Sequence, residues 1–241
     1  MFNTKMKIIE YIDAKNIIVE FEDGYVVKSE YGVFKKGQIK SAYDKSIYGI
    51  GYLGEGRYTE NISVRYDKIY KKWRGMLERC YGNKTKINTT YIDCFVCDEW
   101  HNYQNFAKWY EENIYQINDE IMELDKDILY KGNKIYNPES CIFVPHNINC
   151  LFIKCNTTRG SYPIGVSLHK QADKYIAKCK MNVFDKNKCE YLGLFNTPEE
   201  AFEAYKNYKE KIIKKVANKY KDKIPLKLYN ALINYQVEIT D

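Results

Sequence analysis

Residues 165–181, GVSLHKQADKYIAKCKM, and residues 191–220, YLGLFNTPEEAFEAYKNYKEKIIKKVANKY, place two different periods side by side. Up to Phe195 apolar residues alternate with polar ones, which predicts three successive strands over 165–169, 175–183 and 190–195. Turn chemistry at Ala172-Asp173 and at Asp185-Lys186-Asn187 parts them. Beyond Phe195 the period lengthens. Thr197-Pro198-Glu199-Glu200 has the form of a capping box with proline at the first helical position, so a helix begins there. Ala201, Tyr205, Tyr208, Ile212 and Val216 supply its buried stripe, and Pro225 falls past its expected end.

Working outward, the chain of 241 residues suits one large or two to three small domains, and 45% apolar content with five prolines excludes wholesale disorder. No window approaches ~18 consecutive apolar residues, and the first residues lack an apolar segment before a small-residue cleavage site. A cytoplasmic protein with no membrane association is the expectation, and the eight cysteines are expected as reduced thiols. Net charge is +6, too mild alone to imply a polyanion. Its distribution is more informative, because residues 160–223 hold 14 lysines against 8 acidic residues and so carry the whole excess. The 24 tyrosines suit nucleic-acid surfaces and ordinary cores alike.

Toward the N-terminus, strand-like runs over 17–21 and 25–27 flank the hairpin signal Asp23-Gly24. Gly49, Gly51, Gly54 and Gly56 then mark the exit from a small β-barrel-like module, residues 1–56. Tyr66, Ile69, Trp73, Met76, Leu77 and Cys80 recur at helical spacing until Gly82-Asn83, and Phe106 and Trp109 fall on a second helix. Two short strands are expected over 128–130 and 141–144, with a helix after Pro145. The fold class is α+β and multidomain: 1–56, a central 63–158, a sheet-plus-helix domain 160–224, and a C-terminal tail 225–241.

The G-V-S start, Tyr175-x-Ala177, Leu192-Gly193-x-Phe195-x-Thr197 and Glu200-Ala201-x-x-Ala204-Tyr205 resemble the AP2/ERF-type DNA-binding domain of phage and mobile-element proteins. The resemblance implies a three-stranded sheet laid in the major groove of double-stranded DNA. It makes Ser167, His169, Lys174, Lys178, Lys180 and Tyr191 the DNA-facing residues. Ser167, Cys189 and Tyr191 stand where the family usually has Arg or Trp, and Glu190 adds a negative charge to the third strand. Lys206, Lys209, Lys211, Lys214 and Lys215 are read as a solvated helix face.

The central segment resembles the HNH, or ββα-metal, nucleases. The resemblance rests on Met76-Leu77-x-Arg79-Cys80-Tyr81, Val96-Cys97-Asp98-Glu99-Trp100 with Phe106 and Trp109, and Leu124-Asp125-x-Asp127 ahead of Asn137-Pro138-x-x-Cys141. It implies Mg²⁺ or Mn²⁺ held by Asp125 and Asn149; apart from the resemblance, Asp127 is a nearby second carboxylate for a cation that prefers oxygen ligands. The general-base place is Lys126, whose ammonium has no lone pair to accept a proton at neutral pH, and Ser140 replaces an Asn that would orient the base. The centre therefore reads as degenerate and non-catalytic. His146, one turn from Asn149 and Cys150, is the nearby imidazole that could act as ligand or substitute base. Cys94-x-x-Cys97 has zinc-knuckle spacing, with Cys141, Cys150 and Cys155 as candidate partners, but it lacks a second pair and zinc is not expected.

The expected function is DNA binding by a phage or mobile-element protein with a degenerate HNH centre. The alternatives are an active metal-dependent, homing-like endonuclease, and a nuclease-derived inhibitor partnered with a host defence nuclease of CRISPR type.

Overall fold

The computed structural model describes residues 4–58, 68–82, 91–153, 161–180 and 189–239. Tyr66, Cys155, the end of the expected second strand and the Asp185-Lys186-Asn187 turn lie outside the described residues. The protein is mixed α+β. By contacts it divides into two compact units: Met1–Ile114 with Asn133–Ser140, and Tyr115–Gly132 with Cys141–Asp241.

The first unit opens with an antiparallel sheet in the order β1 (Met6–Asp13), β2 (Asn16–Phe21), β3 (Val26–Ser29). Alternation along β2 buries Ile17, Val19 and Phe21 against Met6, Ile8, Val27 and Phe34. Asp23 accepts the Tyr25 N–H at 3.0 Å, and Gly24 has a positive φ of 87°, so the hairpin turn forms where Asp-Gly predicts it. Register shifts between Ile8 and Glu10 and between Tyr11 and Asp13 bulge β1 at Ile9 and Ile12, which are 50% and 61% exposed.

The expected barrel-like module is instead an open sheet. β1 and β3 are both edges, and after the short helix α1 (Tyr31–Lys35) the chain makes turns and isolated bridges such as Ile47↔Gly51. No further strand joins the two edges among the described residues, and none of the described sheets closes.

Helix α2 (Lys68–Tyr81) buries Trp73, Met76, Leu77 and Cys80, the stripe that its sequence spacing marks. The Trp73 indole N–H donates to the Trp100 carbonyl at 2.7 Å. Trp100 packs on Phe106 and Trp109 of α3 (Tyr103–Asn113) at centroid distances of 5.1 and 4.7 Å. β4 (Phe95–Val96) pairs in parallel with β6 (Ile135–Tyr136), and the buried Tyr136 hydroxyl meets Arg79 Nε at 3.1 Å.

The second unit contains an antiparallel pair, β5 (Met122–Asp125) and β7 (Ile142–Pro145), followed directly by the one-turn helix α4 (His146–Asn149) and a 3-10 turn, Cys150–Phe152. The first strand of this ββα element is 122–125 and not 128–130. Asp125 ends it, because its Oδ1 accepts the N–H groups of Asp127 and Ile128 at 2.8 and 2.7 Å and turns the backbone out of line. Ile128 is buried all the same, but from a bend.

β8 (Val166–His169), β9 (Lys174–Lys180) and β10 (Cys189–Phe195) form an antiparallel sheet in the order β10-β9-β8, and α5 (Pro198–Tyr220) packs across one face. The capping box is present in full: Thr197 Oγ1 accepts the Glu200 N–H at 3.2 Å, and Glu200 Oε2 accepts the Thr197 N–H at 3.3 Å. Beyond Pro225 the expected tail holds a further helix, α6 (Leu226–Ile233), with Leu228 and Leu232 fully buried.

One hydrophobic core serves the whole second unit. Ile117, Ile142, Val144, Ile148 and Leu151 share it with Val166, Ala177, Cys179, Phe202, Tyr205, Ile213, Val216 and Leu232. Glu120 joins the same parts by polar contacts, accepting from the Tyr220 hydroxyl at 2.7 Å and from Asn147 Nδ2 at 3.2 Å.

Candidate nucleic-acid interface

The register of the β8–β10 sheet sorts its side chains onto two faces. Val166 lies opposite Ala177, and Glu190 opposite Cys179, so these residues face α5; Val166, Ala177 and Cys179 are buried there. The alternate positions point away from the helix. Ser167 pairs with Ile176, His169 with Lys174, Tyr191 with Lys178, and Cys189 with Lys180. All six residues that the AP2 resemblance marks as DNA-facing, Ser167, His169, Lys174, Lys178, Lys180 and Tyr191, therefore share one face. Tyr191 is 57% exposed, and the three lysines and Ser167 are exposed.

Glu190 falls on the helix side of the sheet, so its charge is not added to this face. The outward strand positions include no carboxylate. The position of Glu190 also keeps Cys179 and Cys189 on opposite faces although they sit on adjacent strands; both are free thiols.

A bulge between Tyr191 and Gly193 resets the alternation of β10. Leu192 and Gly193 both fall toward the core, Gly193 at a positive φ of 137°, and Phe195 is turned inward against the core. Leu194 is thereby sent outward beside Ile176, 39% exposed. Ile176 and Leu194 form an apolar row among the lysines that the sequence reading did not include. Its signal was the glycine inside an otherwise alternating strand. At the other end of the face, His169 Nδ1 accepts the Ala172 N–H at 3.2 Å, which leaves Nε2–H as the outward donor of the neutral ring.

The same geometry corrects the reading of Lys209 as part of a solvated helix face. Its side chain sits on the buried side of α5 near Cys179, and burial pulls its ammonium below the ordinary lysine value. Gly165, at a positive φ of 78°, precedes β8 where any Cβ would overlap the Tyr205 ring; glycine there lets helix and strand approach closely.

In the ββα element, Asp125, Lys126 and Asp127 lie at the end of β5. Asp125 is partly buried, and that burial pushes its carboxyl above the ordinary value against the opposing pull of the two N–H donors on Oδ1. The Lys126 side chain is 6% exposed and its ammonium is paired with the Asp127 carboxylate. His146 presents Nδ1 to Glu123 Oε1 at 3.6 Å and Nε2 to Cys150 Sγ at 3.4 Å. Cys150 is the neighbour one turn on that the spacing names, Glu123 is a partner that the sequence reading did not pair with it, and neither ring nitrogen is directed at Asp125. Asn149 ends α4 and is partly buried.

Among the described residues no group of three or more His, Cys, Asp or Glu side chains is placed to hold a metal ion. Cys94 and Cys141 are buried, Cys97 and Cys150 partly so, and none of the four is in a disulfide. The Ser140 hydroxyl has its one proton within reach of two acceptors, Asn137 Oδ1 at 2.7 Å and the Ile135 carbonyl at 3.0 Å. No helix among the described residues is long and apolar enough to cross a membrane. No family model, no curated protein and no solved structure matches the chain.

Proposed function

We propose that the protein binds double-stranded DNA through the outward face of the β8–β10 sheet. The observation that carries this reading is the register, which gathers Lys174, Lys178, Lys180, His169, Ser167 and Tyr191 on one carboxylate-free face with a helix behind it. Three strands spaced ~4.8 Å apart make a ribbon ~10 Å wide, which fits a major groove of ~12 Å. The lysines supply phosphate neutralisation or donors to base edges. Ile176 and Leu194 supply apolar contact of the kind a thymine methyl accepts. His169 and Tyr191 bring a hydrogen-bond donor and a stacking ring.

The ββα element is, on this reading, a degenerate HNH centre that adds a DNA-contacting surface without turnover. Position 126 holds a buried, ion-paired ammonium in place of a general base, and His146 is engaged by Glu123 and Cys150. A bound Mg²⁺ or Mn²⁺ would draw on Asp125 and Asn149.

Titration of a short labelled duplex at several salt concentrations tests the binding face. Affinity should fall linearly on a log–log plot, and Lys178→Ala with Lys180→Ala should flatten that slope by about 2, near 0.9 per lost phosphate contact. An unchanged slope places the DNA elsewhere. Supercoiled plasmid incubated with Mg²⁺ or Mn²⁺ should be retarded but uncut; cutting that Asp125→Ala abolishes would make the protein an endonuclease instead.

A further inference from the structure

Across the middle of the outward sheet face runs a row of three side chains, Ser167 of β8, Ile176 of β9 and Leu194 of β10, each opposite the next in register. Along β9 this row lies between Lys174 on one side and Lys178 and Lys180 on the other, at ~6.8 Å for each two residues of strand. Ile176 and Leu194 are cross-strand partners, so their Cβ atoms are ~5 Å apart. Apolar side chains exposed singly on a surface call for no explanation. This pair differs in how it is made. Plain alternation from the outward Tyr191 would send position 193 outward and Leu194 into the core. The bulge between Tyr191 and Gly193, with Gly193 at a φ of 137° that other residues rarely adopt, brings Leu194 out instead. An irregular backbone thus sets a second large apolar group beside Ile176 on the edge strand of the sheet, where it is 39% exposed.

The rest of the face sets the role of this row. Among the described residues the other outward strand positions include no Arg, Asn or Gln, the side chains whose paired groups identify guanine or adenine in the major groove. Lysine is a flexible point charge, suited to the phosphate walls of the groove. Ser167 and His169 offer single hydrogen-bonding groups, which fit more than one base edge. What remains to distinguish one base pair from another is apolar contact, and the apolar feature of the major groove is the methyl on pyrimidine C5. We propose that Ile176 and Leu194 are the specificity-determining residues of this face and read pyrimidine C5-methyl groups, so that the preferred ligand is duplex DNA with thymine or 5-methylcytosine at the pairs beneath them. The inference rests on the sheet face being the DNA site. Lysines to either side hold the ribbon to the phosphates while the central row meets the floor of the groove. Base pairs there are stacked ~3.4 Å apart, which puts two neighbouring pairs within the span of the two side chains.

The test uses the full chain and a short duplex that wild type enriches from a random-sequence library, with base-substituted forms of that duplex as competitors. One methyl is worth about 4-fold in affinity, the ~0.8 kcal/mol of a buried CH₂ group, so uracil in place of thymine should weaken binding by about 15-fold where two methyls are read. At the thymine whose replacement by uracil costs most, a 5-methylcytosine·guanine pair should bind about 4-fold tighter than a cytosine·guanine pair. Ile176→Ala/Leu194→Ala should bind the thymine and uracil duplexes alike, with the salt slope of wild type. Leu194→Ala alone, at an exposed edge position that the fold does not depend on, should keep a discrimination of about 4-fold. Wild type that binds thymine and uracil duplexes alike, 5-methylcytosine that gains nothing over cytosine, or discrimination that survives in both variants each overturns the proposal. The sheet then still stands as the DNA site if Lys178→Ala/Lys180→Ala flattens the salt slope. An unchanged slope in that lysine variant, or a wild type that enriches no duplex, removes the sheet reading as well, so the two failures are told apart.

Discussion

The carboxyl of Asp125 sits between two opposed influences, burial that favours its neutral form and two backbone N–H groups that favour its anion, and burial prevails. Its native pKa is therefore raised above the unfolded value of 3.8. Below that value both states are protonated. As pH rises through the window between the unfolded and native values, the unfolded chain releases its proton first, so this group's contribution to stability declines and stays low above it. Asp125→Asn keeps an acceptor for the two N–H groups and cannot ionise. It should flatten that part of the stability profile and melt no lower than wild type near neutral pH, as thermal melts across a pH series would show. One residue on, the side chain of Lys126 points into the protein toward Asp127. Lys126→His should accordingly leave plasmid uncut in Mg²⁺ or Mn²⁺, because an imidazole placed there is not directed at a solvent water; cleavage by the variant would show that the base alone was missing.

At the scale of elements, the helix-sheet region was legible because its signals are local. The capping box at Thr197 fixes the first turn of α5, and Thr197→Ala should cost about 1 kcal/mol, seen as a lower urea midpoint with an unchanged slope. Strand alternation and the Ala172-Asp173 turn set β8 and β9 in the same way. The places where sequence reading failed are places where a side chain or bulge overrides the period. Asp125 closes β5 by bonding to the backbone ahead of it, so Ile128 stays buried without lying in a strand. The bulge at Leu192-Gly193 moved Leu194 onto the candidate DNA face, which strict alternation places differently. Lys209 looked like its neighbours by composition, and only the helix phase shows that it faces inward.

At the scale of the molecule, sequence resemblance suggests separate modules on either side of residues 158–160, whereas one core runs through both sides of that point. The isolated fragment 160–241 would lose Ile117, Ile128, Ile142, Val144, Ile148 and Leu151 from the core. At ~1.5–3 kcal/mol for each buried aliphatic side chain, that is as large as the whole ~5–15 kcal/mol by which domains are stable. Fragment 160–241 should show no cooperative melting by circular dichroism, and fragment 115–241 should show it. Such non-local sharing carries no mark in a sequence window, which is why the architecture was less legible than its elements.

The two bulges in β1 bear on how the chain behaves in a crowd. An unbroken edge strand of eight residues, three of them isoleucine, would offer a straight ladder of backbone donors and acceptors for another chain to stack upon. Extra residues at Ile9 and Ile12 cut that ladder into runs of three, two and one. Straightening this margin by removing Ile9 and Ile12 should therefore make the protein more prone to fibril growth, seen as a shorter lag in thioflavin fluorescence.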